Sequence, residues 1–177
     1  MLIALLAVVL AVAALLAWAA SRPSTFRIER ATRIEARAST VGALIADFRE
    51  WQKWSPWEKL DPSLERRFSG SPAGLGAVYE WRGNGKAGQG RMEIVGATPA
   101  AVTIRLDFIK PFPAHNTAEF RLTPVGAGEA TDVDWAMFGP RPFMMKLFGV
   151  FMDMDQLVGK DFEAGLAAMK QVAEAAP

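Results

Sequence analysis

Few side chains in this sequence are equipped for covalent or acid–base chemistry. The chain carries one histidine, His115, and no cysteine. Thiolate catalysis, disulfides and cysteine metal sites are excluded. A zinc or iron centre would need mostly carboxylates, an unsuitable donor set, so no metal is expected. A histidine-assisted nucleophile would have to use His115. A general base there needs an orienting carboxylate and a substrate proton within reach. The sequence names no such partner, and a satisfied or solvent-facing loop histidine is the favoured reading. Tyr79 and Asn116 are the remaining polar candidates. Glu80, Glu93, Glu119, Asp132 and Asp134 fall on the outer parities of their segments, which gives paired-carboxylate catalysis little support. Gly83-Asn84-Gly85-Lys86-Ala87-Gly88-Gln89-Gly90 lacks the Gly-Lys-Ser/Thr ending of a phosphate loop and precedes no helix, so it reads as a hairpin loop. No catalytic residue and no cofactor is assigned.

The elements that position these residues are legible from periodicity. Thr25 to Ala36 alternates, with Phe26, Ile28 and Ile34 on one parity and charges on the other. Arg30 and Thr32 interrupt the apolar parity. Ser39 suits an N-cap, and Val41, Leu44, Ile45 and Phe48 follow at helical spacing. Arg49 to Asp61 is aromatic, broken by Pro56 and Pro62. Strand patterns then run from Leu64 to Met137, separated by Gly, Asn and Pro turns. Tyr79 and Trp81, Met92, Phe108, Asn116 and Phe120, and Trp135 share the inner parity of their strands. Phe143–Phe151 reads as a short helix. A long helix from about Met152 to Ala175 places Met154, Val158, Phe162 and Leu166 on one stripe. An antiparallel meander with one apolar face and a helix with one apolar stripe must bury each other. The expected solution is a curved sheet wrapped around the helix, with a ligand cavity between them.

This order, with Phe48-Arg49-Glu50-Trp51-Gln52-Lys53-Trp54-Ser55-Pro56-Trp57 and the C-terminal Gly159-Lys160-Asp161-Phe162-Glu163-Ala164-Gly165-Leu166, resembles the START-like superfamily. Within it the chain resembles the SRPBCC polyketide cyclase/dehydrase proteins, over Thr25 to about Ala173. The resemblance implies an α+β helix-grip fold with a deep hydrophobic cavity. Members bind lipids, sterols, polyketides or plant hormones, and some cyclise or dehydrate polyketides. The family name does not by itself establish catalysis.

The expected cavity is lined by Trp54, Trp57, Tyr79, Trp81, Met92, Phe108, His115, Asn116, Phe120, Trp135, Met154, Val158 and Phe162. Taken singly, most of these aromatics suit a core, and Trp51, Trp54 and Trp57 suit an aromatic mini-core better than a gate. Together they exceed what one helix stripe covers. Gly159 and Gly165 should further reduce what the helix fills. A buried Tyr79 hydroxyl and Trp135 indole would need polar partners. The function expected is binding of a hydrophobic small molecule, lipid-like or aromatic. A polyketide cyclase/dehydratase and an interaction domain with a collapsed cavity are the alternatives.

Residues Leu2 to Ala20 are uninterruptedly apolar. Nineteen residues at about 1.5 Å each come close to the ~30 Å of bilayer hydrocarbon. Residues 1–21 are therefore expected to be a single-pass anchor, in a bacterial inner membrane, and 22–177 the ligand-binding domain. A cleaved signal peptide competes, because Ala17-Trp18-Ala19 has the small-x-small pattern. The arginines after the span favour a cytoplasmic domain by the positive-inside rule, but they also suit the wet face of a strand. A net charge of +1 points to no nucleic-acid partner.

Overall fold

The computed structural model describes residues 1–149 and 153–175. The C-terminal end of the expected Phe143–Phe151 helix and the start at Met152 of the expected long helix lie outside the described residues. The N-terminal helix α1 spans Leu2–Ser21. It is long and apolar enough to cross a membrane, and nearly all of it is exposed. Strand β1 (Thr25–Ile34) leads into α2 (Ala38–Ala46) and α3 (Trp51–Trp54). A 3-10 turn follows at Pro56–Lys59. Six strands come next: β2 (Glu65–Gly70), β3 (Ala77–Arg82), β4 (Gln89–Thr98), β5 (Ala101–Lys110), β6 (Ala114–Val125) and β7 (Ala130–Pro140). Helices α4 (Phe143–Phe148) and α5 (Met154–Glu174) complete the chain.

The seven strands form one antiparallel sheet in the order β1-β7-β6-β5-β4-β3-β2. The meander runs from β2 to β7, and β1 closes the far edge against β7, with Thr25 opposite Pro140 and Ile34 opposite Thr131. Strand β4 carries register shifts at Gln89/Gly90 and Ile94/Gly96, irregularities of the kind that bend a strand. Gly90 is required where it stands: a Cβ would collide with the Trp81 ring lying across it from β3.

Helix α5 packs along β1, α2, α3 and the 3-10 turn. Asp153 caps it, its Oδ1 accepting from the backbone N–H groups of Asp155 and Gln156. Its buried face is Gly159, Phe162, Gly165, Leu166, Met169 and Ala173. Helix α2 starts one residue before the expected cap. Arg37 occupies the N-cap and makes no side-chain capping bond, so Ser39 falls within the first turn instead.

The two glycines of α5 do not leave voids. A Cβ on Gly159 would meet the Arg30 guanidinium, and one on Gly165 would meet the Trp135 ring and Pro56. The missing side chains are notches filled by partners from β1, β7 and the 3-10 turn. This also explains why Arg30 sits on the inner parity of β1. It donates to Glu163 Oε1 at 2.8 Å and to Asp155 Oδ2 at 3.0 Å, tying the sheet edge to the helix. Arg27 pairs with Glu29 and Arg33 with Asp132 across the β1–β7 ladder, so these arginines have structural partners.

Candidate functional site

The aromatic residues divide into a packed core and a cavity wall. Trp135 stacks on Phe162 with ring centroids 4.1 Å apart and on Phe120 at 4.9 Å. Trp54 packs edge-on against Trp135 at 5.5 Å. Trp54, Phe120, Trp135 and Phe162 are all essentially inaccessible to solvent. The indole N–H groups of Trp51 and Trp54 donate to Ile45 O and Leu44 O, each at 3.0 Å, which fastens α3 to α2. Trp54, Phe120, Trp135 and Phe162 were expected to line a cavity and line neither chamber described below, whereas Trp51 reaches the inner one. Mutual ring stacking buries their faces more completely than a void could. The Trp135 indole N–H has no hydrogen-bond partner among the described residues.

The inner chamber, about 250 Å³, lies beneath the 3-10 turn. Its apolar walls are Trp57, Trp81, Met92, Leu106, Phe108, Met137 and Val158. Trp57 presents one side to this space and packs the other against Trp135 and Phe162, at 5.5 and 6.0 Å. Trp81 is held by its indole N–H, which donates to Ala87 O at 3.0 Å.

Tyr79 and Glu58, on one wall of this chamber, belong to a closed network. The Tyr79 hydroxyl donates to Glu58 Oε1 at 2.6 Å, and Arg66 Nε donates to Glu58 Oε2 at 2.6 Å. Burial, reinforced by the hydrogen bond to Glu58, pushes the Tyr79 hydroxyl far above its ordinary range, so it remains protonated. The hydrogen bond to Glu58 raises Arg66 as well. Glu58 and Arg66 thus satisfy each other and Tyr79. The Tyr79 oxygen keeps an accepting lone pair for a ligand, and Ser55 and Lys86 are the other polar residues of a mostly apolar lining. Sequence reading missed Glu58 because its partners are 8 and 21 residues away and belong to different strands.

Asp61 holds the loop that closes one end. Its Oδ2 accepts from the backbone N–H of Asn84 at 2.6 Å, and its Oδ1 accepts from the Ser63 hydroxyl at 2.7 Å. The Ser63 hydroxyl bond, then the backbone bonds from Asn84 and Ser63, hold this carboxyl below its ordinary range. Asp61 therefore pins the hairpin loop whose Lys86 and Ala87 complete the inner wall.

The outer chamber is larger, about 920 Å³, and lies where β1, the ends of β5 to β7, α4 and the start of α5 converge. His115, Asn116 and Met154 line it, together with Phe108, Met137 and Val158. His115 does have a carboxylate partner: its Nδ1 lies 2.7 Å from Asp107 Oδ1, directly across the β5–β6 ladder. The ring is largely exposed, so the pair sits at a mouth rather than inside a catalytic cleft. Asn116 is nearly buried, and its Oδ1 lies against Gly139, where a Cβ would clash. Of the expected site residues, Trp57, Tyr79, Trp81, Met92, Phe108 and Val158 meet in the inner chamber. His115, Asn116 and Met154 belong to the outer one. Among the described residues no cluster of three or more His, Asp or Glu side chains could hold a metal.

A curved antiparallel sheet gripping a C-terminal helix, with an apolar chamber between them, defines a helix-grip protein of the START-like class. The chain belongs to the family described as polyketide cyclase / dehydrase and lipid transport, whose model matches residues 25–174. Comparison with curated proteins gave no match. Among solved structures, the ZhuI aromatase/cyclase from Streptomyces sp. R1128 is similar over 85% of this chain and 94% of its own, with TM-score 0.60 and 16% identity. The di-domain aromatase/cyclase BexL of the BE-7585A biosynthetic pathway matches over 89% of this chain and 53% of its own, with TM-score 0.61 and 17% identity. The Aha1 dimer from Colwellia psychrerythraea matches over 85% and 97%, with TM-score 0.58 and 14% identity. At these identities the likeness is one of fold.

Proposed function

We propose that this chain is a membrane-tethered binding module for a hydrophobic small molecule, lipid-like or aromatic, held in the inner chamber. Residues 1–21 are the anchor and residues 22–177 the binding domain. The observation that carries the reading is the character of the inner chamber. Its walls are Trp57, Trp81, Met92, Leu106, Phe108, Met137 and Val158, Glu58 beside them is engaged by Tyr79 and Arg66, and Lys86 stands exposed at the rim. Such a site offers shape, apolar burial and a few hydrogen-bonding groups, the ordinary makeup of a small-molecule pocket. Affinity should come from apolar area, at about 25 cal/mol per Å², and respond weakly to salt.

Native mass spectrometry of the detergent-purified chain should show a co-purifying molecule or uptake of an apolar dye. Met92→Trp, which fills the inner chamber, should abolish dye uptake while the melting transition is kept. Undiminished uptake by a folded Met92→Trp protein would refute the reading. The anchor is tested by N-terminal sequencing of the mature protein, and a chain beginning at Ala20 or Ser21 would replace it with a cleaved leader.

One observation favours a second reading, an enzyme of the cyclase/dehydratase type. Asp107 orients His115 at the outer mouth, the arrangement of a general base. Turnover that is lost in His115→Ala, with the fold intact, would support it.

A further inference from the structure

The two chambers share a wall of three side chains. Phe108 from β5, Met137 from β7 and Val158 from α5 line both. All three are only half-buried. Met137 has an unbranched side chain with three rotatable bonds, so it can swing aside with little strain. The inner chamber alone, about 250 Å³, is slightly below the ~300–1,000 Å³ of ordinary ligand pockets. Opening the wall would join it to about 920 Å³ of outer space.

The outer mouth is cationic. Arg22, Arg27, Arg141 and Lys146 line it, against Asp153 and Asp155. Both acids are committed. Asp155 pairs with Arg30, and Asp153 caps α5. Arg27 is held by Glu29. Among the described residues no carboxylate pairs with Arg22, Arg141 or Lys146. Phe112 on the β5–β6 turn, an exposed apolar side chain, lines the same mouth, and Phe143 and Met144 are exposed on α4, the helix whose Met145 and Lys146 line it.

The mouth is also tied to the end of the apolar helix. Three residues separate Ser21 from Thr25, a reach of at most about 14 Å for the connecting backbone. Arg22 and Thr25 themselves line the chamber. Helix α4 packs on α1, the Arg141 N–H donates to Ser24 O at 2.7 Å, and Lys146 Nζ reaches Ala20 O at 3.5 Å. If α1 spans the bilayer, the mouth must rest at the headgroup level.

We propose that the outer chamber is an entry site for an anionic phospholipid of the host bilayer. Arg22, Arg141 and Lys146 hold its phosphate, and its apolar tail passes Phe108, Met137 and Val158 into the inner chamber. The proposal rests on the binding-module reading above and adds the source, the head chemistry and the path.

The test uses the full chain in detergent with tail-labelled phosphatidylglycerol or phosphatidylcholine. The readout is the fraction of the fluorophore shielded from dithionite. The wild type should shield the phosphatidylglycerol label at roughly tenfold lower lipid concentration than the phosphatidylcholine label, since each basic group near an anionic lipid contributes several-fold. Raising the salt should narrow that difference. The double variant Arg141→Glu, Lys146→Glu should lose the preference and still take up a neutral apolar dye. Val158→Trp should stop tail shielding of both lipids, and Met137→Trp provides a second block should Val158→Trp fail to fold. Equal shielding of the two lipids by the wild type would overturn the head site. Unchanged shielding in a folded wall variant would overturn the path. If the neutral dye enters but neither lipid tail is shielded, the entry proposal alone fails. If the dye also fails, the binding-module reading falls with it.

Discussion

The Glu58–Tyr79–Arg66 network couples the 3-10 turn to β2 and β3, so its removal should loosen the roof of the inner chamber. Tyr79→Phe deletes one hydrogen bond to a charged acceptor, worth about 1.5–3 kcal/mol. The lower end applies, because Glu58 keeps its contact with Arg66 at 2.6 Å. Glu58→Ala removes both contacts at once. Breaking a buried ion pair costs about 3–5 kcal/mol, but the Arg66 side chain is 23% exposed, so water offsets part of the loss and about 3 kcal/mol is expected. The two changes share one bond and should not add. Their coupling in a double-mutant cycle, read from urea denaturation midpoints at constant m, should be about 1–2 kcal/mol. Additivity within about 0.5 kcal/mol would show that Tyr79 and Glu58 do not act as one unit. Dye uptake provides an independent readout: Tyr79→Phe keeps the chamber's shape and should bind a purely apolar probe as the parent does.

Three other outcomes are expected. Phe162→Ala, which removes a ring stacked 4.1 Å from Trp135, should cost about 3–5 kcal/mol, and an unchanged melting transition would show that the helix is not gripped there. Gly159→Leu should destabilise by about 1–3 kcal/mol through overpacking, and Arg30→Met should relieve much of that cost; equal damage in both backgrounds would mean that Arg30 does not fill the notch. Asp61 has a folded-state pKa below its unfolded value, so its stabilisation is complete above the ordinary carboxylate range and declines as pH falls below about 4 through the depressed value. The stability advantage of the parent over Asp61→Asn should therefore be largest near neutral pH and shrink in acid, and a difference independent of pH down to 2 would contradict the network around Asn84.

The α+β order, the alternation of the strands and the apolar stripe of α5 were all legible locally, because each is a periodicity within one segment. Tyr79, Trp81, Met92 and Phe108 could be chosen as candidate wall residues from strand parity, Val158 from the helical stripe and Trp57 from the repeat of tryptophans. Parity reports which face a side chain occupies, not whether that face meets a void or another ring. Trp54, Phe120, Trp135 and Phe162 share the same signal and are packed solid, because α5 lies over β1 and α3 and brings four aromatic surfaces into contact. Gly159 and Gly165 likewise read as gaps from sequence, and only the approach of Arg30 and Trp135 turned them into filled notches. The pairing of β1 with β7, the bond between Asp107 and His115 and the closure of Glu58 on Tyr79 and Arg66 are decided by strand neighbours distant in the chain. Local propensity carries no information about such neighbours. They follow from how the curved sheet closes around the helix, and that closure determines which polar groups are left for a ligand.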